Sequence, residues 1–337
     1  MKRCFLQATG IPASLLPIAP PPPDVQRNSA VIPYLVLFVG QLAVGSAALL
    51  ARLGLDAGMN ALALSAWRLA VASILLLAAS RFARKQREAG NPPDTRTRMR
   101  LILAGLCLGI HFATWFASLK LIPIARSTLL VTTAPVWTGL AQRFLFKKRL
   151  PPTFWLGLTI AGVGVYLITL QDTPLLTLGA TGRQSPAGDL LAIAGAIAIS
   201  GYLLLVEDIQ PTLGTSGTIT WTYSVAAIGL MLAAVLSVPI QNAVPHNRAA
   251  WLSIMGLALI PQLIGHTSFN WCLKHFKAAV VAASTLLEPV FAGALAWLLL
   301  AEPLSTRQIV GAVILLGGVA LTLLDRKKQP EPETTIT

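Results

Sequence analysis

The sequence predicts an all-α integral membrane protein of ten transmembrane helices, built as two inverted five-helix repeats. Three observations predict it. Hydrophobic residues make up 55% of the 337 and charged residues only 12%, about half the charged share of a soluble domain, so this much apolar surface calls for lipid. The chain matches itself without gaps when slid along by one constant offset. Its lysines and arginines crowd into alternate connections between the apolar runs.

The self-match places Ala125 on Ala279, Pro135 on Pro289, Gly139 on Gly293, Gly157 on Gly311 and Gly164 on Gly318. At the same offset Ser46 meets Ser200, Trp67 meets Trp221, and Leu119-Lys120 meets Leu273-Lys274. The duplicated units run over 31–171 and 187–325, with tails at 1–30 and 326–337. Long apolar runs place spans at roughly 31–51, 60–80, 101–120, 124–146, 153–171, 187–206, 216–239, 250–273, 278–300 and 306–324. Five spans per unit is an odd number, so the second copy enters the bilayer inverted, an architecture of secondary transporters.

Charge placement sets the orientation. With the N-terminus in the cytoplasm, inside segments hold 19 Lys and Arg, and outside segments hold six: Arg52, Lys120, Arg126, Arg183, Arg248 and Arg307. This bias puts both ends in the cytoplasm of a multi-pass protein in a bacterial inner membrane. The net charge of +13 is thereby assigned to topology and lipid headgroups, and a nucleic-acid partner is excluded. Gly10, Pro12 and Pro17 interrupt the apolar part of the first thirty residues, which reads as a cytoplasmic tail more readily than as a cleaved signal. Cys4, Cys107 and Cys272 form no motif, and neither a metal site nor a cofactor is expected.

Each span then contributes particular residues. The first carries Gln41, Gly45 and Ser46, suited to close packing. In the second, Arg68 follows Trp67 on the order of 12 Å inside the span. It either snorkels outward or faces the interior as a fixed positive charge. The third presents His111, Trp115 and Ser118 on one helical face, as a pocket wall or an interhelical hydrogen-bonding seam. In the fourth, Thr132, Thr133 and Thr138 surround Pro135, a natural hinge because proline removes a backbone hydrogen bond. Gly157, Gly162 and Gly164 give the fifth a packing face. Ser200 and Tyr202 lie in the sixth span; Trp221, Thr222 and Tyr223 lie in the seventh.

The eighth span holds the most informative stripe. Gln262, His266 and Asn270 recur every four residues, an arc of about 80° at 100° per residue. Such a stripe turns away from lipid, and lining a central cavity is favoured over bonding a neighbouring helix. Pro261 sits beside it. The ninth span carries Ser284, Thr285, Glu288 and a second hinge candidate, Pro289. A carboxylate at this depth faces a partner or a watery cavity, so Glu288 and His266 are the candidates for proton coupling. The bland alternative is a fixed ion pair with Arg68 or a hydrogen bond to His266. The partner of Glu288 in the first unit is Ala134, which makes the charge chemistry asymmetric. Glu302 reads as a turn or cap residue.

The stretches WRLAVAS, ARSTLLVTTAPVWTGLAQRFLFKKRL, AAVVAASTLLEPVFAGALAWLLLAEPL and GAVILLGGVALTLL resemble the EamA-like permeases of the drug/metabolite transporter superfamily, over about residues 33–325. The resemblance implies inner-membrane transporters, often exporters of amino acids or other small metabolites, with a central cavity lined by both repeats. Arg68 falls where the family often has an arginine, whereas Lys148 departs from the pattern, which expects a glutamate there comparable to Glu302.

The expected function is therefore a secondary transporter that exports a small metabolite by alternating access. Its cavity candidates are Arg68, His111, Trp115, Tyr202, Tyr223, Gln262, His266, Asn270 and Glu288. An intramembrane enzyme using His111 or His266 is disfavoured, because no H-E-x-x-H or G-x-S-x-G arrangement occurs. A lipid-handling or scaffolding membrane protein is the remaining alternative.

Overall fold

The computed structural model describes residues 23–84, 93–169, 185–291, 294 and 305–324. The chain divides into a unit Met1–Leu35 and a main unit Val36–Thr337. Of the first, the described part is the opening of helix α1 (Pro23–Gly45), which begins inside the segment expected as a tail, with proline in its first turn, where no amide hydrogen is needed. The rest of both tails, most of the basic loop after the second span, the far half of the ninth span and Glu302 lie outside the described residues.

The main unit continues through α2 (Ala47–Asp56), α3 (Ala61–Arg84), α4 (Thr95–Leu121), α5 (Ile124–Val131), α6 (Ala134–Phe144), α7 (Pro152–Thr169), α8 (Pro186–Glu207) and α9 (Gln210–Ser237). After the single turn α10 (Ile240–Ala243) come α11 (Arg248–Leu257), a π-helical stretch (Ala258–His266), α12 (Thr267–Cys272), α13 (Ala278–Ser284), a 3-10 turn (Thr285–Leu287) and α14 (Thr306–Leu323). No strand occurs among the described residues. Seven helices among them are long and apolar enough to cross a membrane by length and composition, and Pro152–Ile168 and Ala278–Phe291 are shorter apolar helices. The run expected as one span at 124–146 is two helices, α5 and α6, because the chain breaks before Pro135.

Hydrogen bonds tie the connections into two ends. At one end Arg52 Nη1 donates to the Leu119 carbonyl at 2.9 Å, the Asn60 amide to the Asn242 carbonyl at 2.9 Å, and Asn247 Nδ2 to the Ala57 carbonyl at 3.0 Å. Arg126 grips Asp189 in a two-pronged pair at 2.7 and 2.6 Å. At the other, Arg100 Nη2 reaches the Leu205 carbonyl at 3.2 Å and Asp208 at 3.4 Å, and Lys148 reaches Asp208 at 3.3 Å and Glu207 at 3.5 Å. Lys148, which departs from the family pattern, thus lies between two carboxylates. At the start of α4, Asp94 accepts from the Thr97 amide at 3.0 Å. The Thr97 side chain and backbone hold this carboxyl below the usual carboxylate range, so the cap is complete above the ordinary carboxylate pKa and is lost as pH falls through the lowered value.

The duplicated units meet through equivalent helices. α7 packs on α14 and α3 on α9, and each pair is made of counterparts in the self-match. In the first pair, a Cβ on Gly157 would lie 2.7 Å from the Gly318 carbonyl oxygen, and one on Gly311 would lie 2.9 Å from that of Gly164. Gly157 and Gly311 are repeat partners, as are Gly164 and Gly318. The contacts are therefore reciprocal and the two helices antiparallel, the geometry of an approximate two-fold axis running between inverted copies. Backbones can come this close only where no side chain intervenes.

A Cβ on Gly318 would collide with the Ala161 backbone nitrogen, whereas one on Gly162 meets nothing within 4 Å. Gly318→Ala is therefore expected to cost about 1–3 kcal/mol of unfolding free energy. Gly162→Ala, on the open side of the partner helix α7, is expected to be neutral or to stabilise by up to about 1 kcal/mol. Unfolding in detergent measures both, and equal losses at the two positions would contradict the reciprocal contact.

Candidate functional site: a cavity between two broken helices

Two prolines at equivalent positions of the repeat break two helices. Pro135 and Pro289 lack an amide hydrogen, so the carbonyls of Val131 and Thr285, four residues earlier, have no helical donor. In the first copy α5 ends at Val131 and α6 starts at Ala134. Between them the hydroxyls of Thr132 and Thr133 turn back to the Leu129 and Leu130 carbonyls at 3.1 and 2.6 Å. In the second copy α13 ends at Ser284 and a single tighter turn, Thr285–Leu287, precedes Glu288. Here Ser284 and Thr285 bond back to the Val281 and Ala282 carbonyls at 2.6 and 2.8 Å. Gln41 braces the break by donating from Nε2 to Ser284 Oγ at 2.7 Å.

A cavity lies between the breaks, walled by Val131 and Ala134 from one and Thr285 and Glu288 from the other. These are two repeat-related pairs, and a third, Trp115 with Phe269, completes the symmetric part of the wall. His111, His266, Val44, Ile199 and Leu203 fill the remainder. Space open to the centre of a water molecule totals about 30 Å³, room for about two waters.

The residues singled out from sequence divide into two groups. His111, Trp115, His266 and Glu288 line the cavity. His111 Nδ1 lies 2.9 Å from the Gly195 carbonyl, which can only accept, so that nitrogen carries a proton. Its ring stacks on Trp115 with centroids 5.8 Å apart and meets the His266 ring at 6.4 Å. Glu288 is 8% exposed and, among the described residues, makes neither an ion pair with Arg68 nor a hydrogen bond to His266 or to any other group. Both bland alternatives for Glu288 are therefore absent from this conformation.

The second group, Arg68, Gln262, Asn270, Tyr202 and Tyr223, is buried beside the cavity and forms a polar column. Arg68 neither snorkels nor touches a carboxylate: Nη2 donates to Gln262 Oε1 at 2.7 Å, and the Phe112 ring covers its guanidinium at 4.0 Å. Tyr223 donates to the Gln262 carbonyl at 3.5 Å, and Tyr202 donates to Asn270 Oδ1 at 2.8 Å. Asn270 Nδ2 returns to the His266 carbonyl at 2.8 Å, and Gln210 Nε2 donates to the Asn270 carbonyl at 2.5 Å. The stripe at 262, 266 and 270 is thus divided between the column and the cavity, along a stretch, Ala258–His266, that is π-helical and contains Pro261.

Sequence reasoning missed the apolar wall. Val44, Ile199 and Leu203 carry no chemical signal, but the self-match that pairs Pro135 with Pro289 also pairs Val131 with Thr285 and Trp115 with Phe269. It already pairs Glu288 with Ala134; applied to Trp115, it would have found Phe269. Among the described residues, no group of three or more His, Cys, Asp or Glu is placed to hold a metal ion.

A duplicated, all-helical, multi-pass membrane protein with a cavity of mainly apolar wall between its copies belongs to the transporter class. The comparisons with known proteins make that specific: residues 31–170 and 186–324 each match the EamA-like transporter family, and the chain belongs to that family, within the drug/metabolite transporter superfamily. It is 26% identical over 239 residues to the uncharacterized transporter YdfC of Bacillus subtilis, covering 70% of this chain and 74% of that one. It is 24% identical over 322 residues to the threonine/homoserine exporter RhtA of Salmonella typhimurium, covering 92% and 97%. A probable amino-acid metabolite efflux pump of Escherichia coli is 24% identical over 236 residues, covering 66% and 76%. A protein of solved crystal structure superposes with a TM-score of 0.68 at 20% identity, over 87% of this chain and 98% of its own, and shares the fold.

Tyr202→Phe removes only the hydroxyl that bonds Asn270. It is expected to lower unfolding free energy by about 0.6 kcal/mol and by no more than about 1.7 kcal/mol, measured in a double-mutant cycle with Asn270→Ala. A coupling energy of zero would dissolve the polar column into independent contacts.

Proposed function

We propose that this chain is a secondary transporter that exports a small metabolite, an amino acid or a related compound, across a bacterial inner membrane by alternating access. On this reading the chain makes ten spans as two inverted five-helix repeats, over 31–171 and 187–325, with both termini cytoplasmic. The observation that carries it is the position of the cavity: it sits on the approximate two-fold axis, between two helices broken at equivalent prolines. Broken helices at a repeat interface are where transporters hold solutes, because backbone groups freed at the break become available to cargo.

Symmetry supplies the cycle. If each repeat can take the other's conformation, inward-open and outward-open states exchange without a third structure. Pro135 and Pro289 are the hinges, since bending there breaks no helical hydrogen bond. His111, Trp115, His266 and Glu288 form the substrate site, with Thr285 beside them. Arg68, Tyr202, Tyr223, Gln262 and Asn270 form the supporting column that enters the site as the bundle opens. Glu288, without a partner among the described residues, exchanges protons with the cavity, and His266 on the facing wall is the second candidate. The exporter names carried by RhtA and by the efflux pump of Escherichia coli support outward transport of amino-acid-like solutes.

Purified protein in liposomes tests this with a panel of labelled amino acids and an imposed pH gradient. The gradient is expected to drive accumulation of at least one of them, and Glu288→Gln is expected to abolish that response. Uptake that ignores the gradient, or a response that survives Glu288→Gln and His266→Gln together, would contradict proton coupling. No flux of any solute would contradict the transporter reading for the probes used.

A further inference from the structure

Arg68 is fully buried and meets no carboxylate, which is an expensive arrangement in a membrane interior. Its guanidinium uses one nitrogen, Nη2, on Gln262. Nε and Nη1 find no acceptor, and the amide nitrogen of the same Gln262 finds none either. Phe112 at 4.0 Å and Phe116 at 5.4 Å cover the cation, but a ring on its face leaves the N–H bonds, which lie in the guanidinium plane, unanswered. Three unanswered donors on two side chains around one positive charge are complementary to a small anion.

The described residues supply no such anion from within. Glu288 is held away, because Phe112, stacked on Arg68, meets His266 edge-on at 5.1 Å, and His266 shares the cavity wall with Glu288. An aromatic layer therefore stands between the Arg68 guanidinium and the Glu288 carboxyl. Tyr223 spends its hydroxyl on the Gln262 carbonyl. Along the π-helical stretch Gln262 meets Arg68 of α3 while His266 lines the cavity.

We propose that Arg68 and Gln262 form a binding site for a small monovalent anion, a halide or a carboxylate group. The anion neutralises Arg68, accepts from one free edge of the guanidinium, at Nε or at Nη1, and from the Gln262 amide, and enters when the helices around α3 part. The site is independent of the transport reading, since it follows from the burial and donor count of two side chains.

The test is the thermal unfolding midpoint of the full chain in detergent, titrated with sodium chloride or sodium acetate against sodium isethionate at equal ionic strength. Chloride, acetate or both are expected to raise the midpoint saturably, by about 5 °C at about a hundredfold excess over half-saturation. A response to chloride alone assigns the site to a free halide; a response to acetate assigns it to a carboxylate, including one carried by cargo. Arg68→Gln is expected to remove the response. Gln262→Glu, which places a carboxylate on Arg68 from within, covers the case in which that variant does not fold. Its midpoint in isethionate is expected to equal that of the unmodified protein at saturating anion and to be insensitive to all three salts. Identical curves for the unmodified protein in the three salts, or a response that persists in Gln262→Glu, would overturn the site.

Discussion

A missing amide hydrogen, at Pro135 and again at Pro289, is the constraint on which the rest of this structure depends. Each proline removes one rung from a helix inside an apolar bundle, where a lone carbonyl has no water to turn to. The neighbouring hydroxyls of Thr132, Thr133, Ser284 and Thr285 bond back to carbonyls of the preceding turn, which steadies the ends of the broken helices. Because the prolines are repeat partners, the breaks face each other, and the space between them falls where the copies meet. The antiparallel contact of α7 with α14 through Gly157, Gly164, Gly311 and Gly318 holds the copies in that register.

The frame is symmetric and its chemistry is not. At positions related by the repeat, Glu288 stands against Ala134, His266 against Phe112, His111 against Gly265 and Arg68 against Thr222. In the proposed cycle this division has a physical sense. A symmetric frame makes two opposite conformations similar in energy, so modest differential binding can move the population between them. Placing ionisable groups on particular helices makes that balance respond to protons and solute. The Arg68 guanidinium and the Glu288 carboxyl, left apart across the Phe112 and His266 layer, remain available to ligands, where a direct ion pair would engage both.

Much of the fold was legible because lipid leaves long apolar runs and duplication leaves an offset. The packing of Gly157 and Gly164 and the break at Pro135 followed from backbone chemistry, and the cost of polar groups at membrane depth turned His266 and Glu288 inward. Gly162, expected on the same face, meets nothing, and the sequence left Arg68 open between snorkelling and burial. What was not legible depended on helix type and on neighbours. The 124–146 run is apolar throughout, and nothing in its composition distinguishes a kinked helix from the pair α5 and α6. The stripe at 262, 266 and 270 lies along one side of its helix, but the neighbours it meets there differ from one residue to the next. Gln262 turns to Arg68 and Asn270 to Tyr202, and only His266 lines the cavity. Whether Arg68 meets Glu288 is decided by an intervening phenylalanine that carries no signal of its own.

The central claim is that the space between the two breaks is opened to each side of the membrane in turn. Single cysteines at the repeat-related wall positions Val131 and Thr285, in a chain whose Cys4, Cys107 and Cys272 are replaced by alanine, can be labelled with a membrane-impermeant maleimide from either face of oriented vesicles. The account predicts that both cysteines react from both faces, with similar rates at the two positions. Reaction from one face only, or from neither while the protein remains folded, would contradict it.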